Sequence, residues 1–154
     1  MKLSYRLLLP FLLMQGAATA APADLLFRVT SSTPPIPADN YSTTCTINTA
    51  GQVVTARKTT LFKSGALFNS TESKTVKLSL ASLRKAIDET AAGHITGIPL
   101  FGGGIHQYFA YQKPVKGAAK EILLLDKNGG MSNDSPVVEP LKKFIDSLCG
   151  DIAQ

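Results

Sequence analysis

The chain has no tryptophan, two cysteines, two histidines and a charged fraction of 18% in 154 residues. Each shortage excludes something. Low charge beside a hydrophobic share of 44% rules out a disordered polyelectrolyte tail and a coiled-coil rod, and the length suits one core rather than two. No apolar stretch approaches the roughly 20 residues of a membrane-spanning helix. No Gly-x-Ser-x-Gly turn, HExxH helix, Walker phosphate loop or EF-hand loop occurs, so the chemistries that depend on those motifs are absent.

Residues 1–20 carry the most specific pattern. Lys2 and Arg6 form a short basic start, Leu7 to Met14 an apolar run broken only by Pro10, and Ala18-Thr19-Ala20 a small-residue cleavage site, the layout of a secretory signal. We expect cleavage after Ala20, a single mature domain over residues 21–154, and a periplasmic or secreted destination. No cysteine follows the cleavage site to take a lipid, so no membrane anchor is expected after cleavage. Removing Lys2 and Arg6 from sixteen basic residues leaves fourteen against eleven acidic ones, a mature charge of +3. The basic pairs Arg57-Lys58, Arg84-Lys85 and Lys142-Lys143 are scattered along the chain and read as solvated surface. A nucleic-acid partner is therefore not expected.

Export sets the meaning of Cys45 and Cys149. In an oxidising compartment, two cysteines with one available pairing predict a single disulfide. A redox motif would need the thiols close together in sequence, and a zinc site would need more ligands than the two histidines then left.

Alternating Leu25, Phe27 and Val29 predict a strand with one buried face. Ser31 to Asn40 follows as an exposed connection in which Pro34, Pro35 and Pro37 remove backbone donors and hold an extended shape. Thr43–Thr49 and Gln52–Thr60 around Ala50-Gly51 predict a hairpin that aims Cys45 and Ile47 at the same side. Turn residues at Ser64-Gly65 and Asn69 to Ser73 split the next stretch into two short strands, near Ala66–Phe68 and Thr75–Leu78. Ser79 as N-cap, Leu80, Leu83 and Ile87 at helical spacing, and Gly93 as a positive-φ terminator predict an amphipathic helix. His94 to Gly104 reads as a loop and Ile105 to Gln112 as a strand. The unbroken run Ile122 to Leu125 suits a central strand covered on both faces. A last helix starts near Ser135-Pro136, becomes regular at Glu139 despite Pro140, and ends near Cys149. The order of elements predicts the α+β class: an antiparallel sheet with two helices packed on one face, clamped by one disulfide.

Candidate sites are few. Gly102-Gly103-Gly104 precedes a strand, whereas a phosphate cradle precedes a helix, so it reads as a turn. Asp126 to Gly130 begins like a calcium loop but has Val137 where the twelfth position needs an acid. Asp88 and Glu89 diverge on a helix and do not make the facing carboxylates of a glycosidase. His94 and His106 fall on a loop and a strand, and read as locally bonded or solvent-facing. Tyr108, Phe109 and Tyr111 would stack bases or sugars on an open face, but serve a core more readily. No metal or cofactor is expected.

These exclusions point to an exported, non-enzymatic binding protein, for example an inhibitor of a secreted or envelope enzyme, acting on another protein through two loops. Pro34, Pro35, Ile36 and Pro37 lie in one; Gly102, Gly103 and Gly104, with His106 just beyond, lie in the other. The proline segment would equally serve as a plain crossover with Ile36 tucked onto the sheet. The alternatives in function are a small exported hydrolase built on His106, and an envelope structural or assembly component. The intact mass of the exported protein should lack residues 1–20 and fall two hydrogens below the remaining sum; a thiol titre under denaturing, non-reducing conditions would overturn the pairing.

Overall fold

Threonine is the commonest residue between positions 25 and 75, and with Val, Ile and Phe it packs well on a pleated, half-buried surface. These positions fold as four consecutive antiparallel strands: β1 (Leu25–Ser32), β2 (Asn40–Asn48), β3 (Gln52–Thr60) and β4 (Leu67–Thr75). The structure, a computed structural model, describes residues 24–34, 38–100, 102–113 and 118–150. Residues 1–20, expected to be a secretory signal, and the segment Pro35, Ile36, Pro37 lie outside the described residues. The second half contains α1 (Leu80–Ala91), β5 (Ile95–Gly97), β6 (Ile105–Gln112), β7 (Lys120–Asp126), β8 (Met131–Asn133) and α2 (Val138–Cys149). The strands form one sheet in the order β4-β3-β2-β1-β6-β7-β8-β5, with every neighbouring pair antiparallel. β1 lies inside the sheet and joins its halves, and α1 carries the chain from one edge to the other.

Register decides which side chains share a face. Val53, Ile47, Phe27, Ala110 and Ile122 are successive partners across β3, β2, β1, β6 and β7. All five are buried, and with Leu124 they form the floor of the core. Ile87 of α1 and Val138, Leu141, Ile145 and Cys149 of α2 close over this floor, so both helices occupy one face. Phe144 of α2 meets Phe27 edge-on, ring centroids 6.1 Å apart. Cys45 and Cys149 are joined by a disulfide across 104 residues, with Cα atoms 5.9 Å apart. The α+β class, the single helix-bearing face and the clamp are all present, although sheet makes up most of the molecule.

Several local expectations change. The turn-rich stretch Asn69 to Ser73 is the middle of β4, because β3 supplies an unbroken row of partners from Gln52 to Thr60. β5 and β8, three residues each, pair with one another in segments that carry no strand pattern. Leu26 is buried beside Phe27 because a register shift between Leu25 and Phe27 breaks the alternation. In β7 only Ile122 and Leu124 of the apolar run are buried; Leu123, opposite Phe109, is partly exposed on the face that bears no helix, whereas a register shift turns Leu125, opposite Tyr108, toward the core, where it is partly buried. Ser79 holds the N-cap position, but its hydroxyl bonds the Ser82 hydroxyl at 3.1 Å and not the backbone. Gly93 does not have positive φ: it is needed for space, since a Cβ there would strike the Asn133 side chain. α2 begins at Val138, which makes Pro140 its third residue, a position where the missing N–H would have no intrahelical partner anyway.

Asn133 links the two helices. Its amide donates to Thr90 O at 2.9 Å at the end of α1, and its carbonyl accepts from Ser135 N at 2.9 Å ahead of α2. Because either cysteine removes the same cross-link, Cys45→Ser and Cys149→Ser should each destabilise by about 2–5 kcal/mol, and the double variant should lose little more than either alone. Denaturant midpoints of the three variants check this.

Candidate functional site

Along the helix-covered face the side chains turn polar toward one end of the sheet. The line Ile47–Phe27–Ala110 is apolar, the next, Cys45–Val29–Tyr108, adds a hydroxyl, and the third, Thr43–Ser31–His106, is polar throughout. Loops wall this third line. A hollow of about 230 Å³ opens there, lined by Ser31, Thr43, His106, Pro34, Gly104 and Asn128 among others.

Strand direction brings four connections to this end: residues 33–39, 61–66, 98–104 and 127–130. They are tied to one another. Asn128 Nδ2 donates to Gly104 O at 2.8 Å, Leu100 N to Gly129 O at 2.9 Å, and Phe62 N to Asp39 Oδ1 at 2.9 Å. Tyr41 N donates to Thr33 Oγ1 at 3.1 Å across the mouth of the first connection. Gly104 packs so closely on β1 that a Cβ would strike the Ser32 carbonyl oxygen, with Pro34 beside it. Three of the sequence candidates, Pro34, Gly104 and His106, therefore meet in one hollow, with Gly102 and Gly103 exposed on its rim. Pro35, Ile36 and Pro37 lie outside the described residues. His94 is not brought to this site: its side chain is largely exposed, with Nδ1 3.9 Å from Asp134.

His106 is only 5% exposed and begins a chain of polar contacts. Its Nε2 lies 3.1 Å from the Tyr108 hydroxyl, which donates at 2.8 Å to Asp146 Oδ1, while Lys142 Nζ donates at 2.7 Å to Asp146 Oδ2. Tyr108 has one proton to give and a carboxylate only accepts, so toward His106 the phenol oxygen is the acceptor and Nε2 carries hydrogen. Lys142 also stands 5.4 Å from the centroid of the Tyr108 ring. A groove of about 560 Å³ runs from His106 along α2, and Lys127 lines both this groove and the hollow.

The opposite face shows what became of the aromatic strand. Arg28 stacks 4.8 Å from the centroid of the Phe109 ring and holds Glu121 at 2.8 Å, and the buried Tyr111 hydroxyl donates to the same carboxylate at 2.5 Å. Burial, and next the bond to Glu121, push the Tyr111 phenol well above its ordinary range. Arginine thus occupies the surface on which a base or sugar would stack. Of the three Asn-x-Ser/Thr sequences that glycosylation could use, at Asn40, Asn69 and Asn133, the last has a buried asparagine, whereas Asn40 and Asn69 are exposed.

Nothing in the spacing of Lys127, Lys142 and Asp146 marks them as neighbours of His106, and Lys142, expected at the solvated surface, is instead partly buried against Asp146. The apolar side chains of the loop end left a readable trace: Ile98 and Leu100 flank Pro99 inside a loop, where large hydrophobics have no core to serve. Among the described residues, no group of three or more His, Cys, Asp or Glu could hold a metal ion, and no helix is long and apolar enough to cross a membrane.

Removing the Tyr108 hydroxyl would take one partner from the buried His106 ring and one from Asp146. Tyr108→Phe should cost about 1–3 kcal/mol, seen as a lower denaturant midpoint at unchanged m-value. No family model, curated protein or solved structure matches this chain.

Proposed function

We propose that this is an exported binding protein whose contact surface is the loop end of the sheet and whose partner is another protein. The observation that carries the reading is where the apolar surface lies. Of the eight large hydrophobics exposed among the described residues, seven (Tyr41, Phe62, Leu67, Phe68, Ile98, Leu100 and Ile105) sit at this one end. Ile98 and Leu100 are 78% and 62% exposed, more than fold stability requires of any leucine or isoleucine. Scattered single hydrophobics are ordinary on a protein surface, but seven of eight at one end of a sheet favour an interaction site there.

The hydrogen bonds among the four connections supply the second requirement. A loop already held in place loses little conformational freedom when it docks, so more of the contact energy remains as affinity. The Cys45–Cys149 bridge is consistent with an oxidising compartment, and with the basic start, apolar run and small-residue site of residues 1–20 it supports export. A projecting apolar edge fits a cleft, which favours an inhibitor of a secreted or envelope enzyme over a self-assembling component. A hydrolase built on His106 has less support, since its Nε2 engages the Tyr108 hydroxyl, whose own proton goes to Asp146.

The test is a paired capture from envelope and secreted fractions. Ile98→Asp combined with Leu100→Asp alters only exposed side chains, so stability should stay within about 0.5 kcal/mol per site. The double variant should lose a partner that the unaltered protein and a Lys85→Glu control both retain in a one-to-one complex. Equal capture by all three would place the binding surface elsewhere, and self-association in place of a heterologous complex would favour the assembly reading.

A further inference from the structure

We propose that the partner's contact segment is an acidic peptide whose carboxylates enter the cationic groove beside α2, where Lys127 and Lys143 bind them. This rests on the binding reading above and specifies the chemistry of the partner. The groove is lined by His106, Tyr108, Lys127, Lys142, Lys143 and Asp146, so it holds three lysines and a histidine against one carboxylate. That carboxylate is already engaged on both oxygens, by Tyr108 and Lys142. The nearest acid to Lys143 is Glu139 at 3.9 Å, with both side chains well exposed, a pairing that water largely screens. Lys127 makes no ion pair among the described residues. Two cations thus face the groove with little to compete for them.

Position joins this charge to the apolar edge. His106 and Lys127 line both the groove and the hollow beneath Pro34 and Gly104. A chain lying against Pro34 and Gly104 therefore has Lys127 next along its course, then Lys143. The surroundings favour a peptide over a nucleic acid. Tyr108 is only 4% exposed, Phe109 faces the opposite side beneath Arg28, and the adjoining edge offers aliphatic side chains such as Ile98 and Leu100 instead of further cations. Nucleic acids need phosphate contacts spread over many residues and flat rings for stacking.

The probe is a dye-labelled hexaglutamate peptide, with binding to the mature, disulfide-bonded protein read by fluorescence anisotropy. Binding should be measurable at low salt and weaken steeply as ionic strength rises through about 0.1–0.2 M, where screening shortens to about 10 Å or less. Lys127→Glu with Lys143→Glu should weaken it by about tenfold or more, while Arg84→Glu with Lys85→Glu on α1 should leave it within about twofold. Both lysines of the first pair are exposed, and Lys142 is left intact to hold Asp146, so the variant should keep its melting temperature. Absence of hexaglutamate binding, equal losses in the two variants, or tighter binding of a single-stranded oligonucleotide of the same charge would each overturn the proposal.

The double variant Ile98→Asp with Leu100→Asp separates this proposal from the reading beneath it. If that variant loses the captured partner while hexaglutamate never binds, the loop end stands and the groove falls. If hexaglutamate binds as proposed while the variant still captures the partner, the loop-end reading falls instead.

Discussion

Cys149 closes the last turn of α2 and Cys45 lies in the middle of β2, so the bond between them holds the helix over the line of side chains Cys45–Val29–Tyr108. The chain between the two cysteines contains most of the sheet and all of α1. In the unfolded protein that closed loop would sample many fewer conformations than an open one, a restriction on the order of 4–5 kcal/mol in the chain-entropy treatment. The bond also has a geometric consequence. With the C-terminal end of α2 pinned, Asp146 one turn earlier reaches Tyr108, and Lys142 reaches Asp146. The wall of the groove is therefore set by a covalent constraint one line of residues away from His106.

A gradient of polarity along the strands then separates scaffold from surface. The apolar floor from Val53 to Ile122 lies where the helices can cover it, and burial of that surface drives folding. Two lines further on, the same strands present Thr43, Ser31 and His106, which apolar helix faces could not cover without leaving polar groups unpaired. Loops take over, and they bond each other: Asn128 to Gly104, Leu100 to Gly129, Phe62 to Asp39. The large hydrophobics these loops carry have no interior left to fill. Exposed apolar surface on an ordered frame, beside lysines without close counter-charges, is a combination that folding alone does not call for.

Much of the scaffold was legible in the chain. The hairpin around Ala50-Gly51, the helix after Ser79, the final helix ending at Cys149 and the pairing of the two cysteines follow from local patterns: β-branched runs, apolar residues at helical spacing, and thiols with one available partner. β4 was not legible, because Asn69-Ser70-Thr71-Glu72-Ser73 has turn composition and becomes strand only when β3 presents a full row of backbone partners. The three-residue strands β5 and β8 likewise exist through pairing across the sheet, β5 with β8 and β8 with β7, and not through any alternation of their own.

For the site the division is sharper. In the chain alone, Pro34, Pro35, Ile36 and Pro37 in one loop, and Gly102, Gly103 and Gly104 with His106 in the other, stand out as candidates, and motifs for metal, nucleotide and nucleophile-elbow chemistries are lacking. It takes the folded molecule to bring Pro34, Gly104 and His106 into one hollow, to stand Lys127, Lys142 and Asp146 around His106, and to gather at one end seven of the eight large hydrophobics exposed among the described residues. The physical reason is range. Propensity and periodicity report interactions within a few residues, whereas Tyr108 and Asp146 are 38 positions apart and meet only because antiparallel register and a disulfide bring β6 under α2.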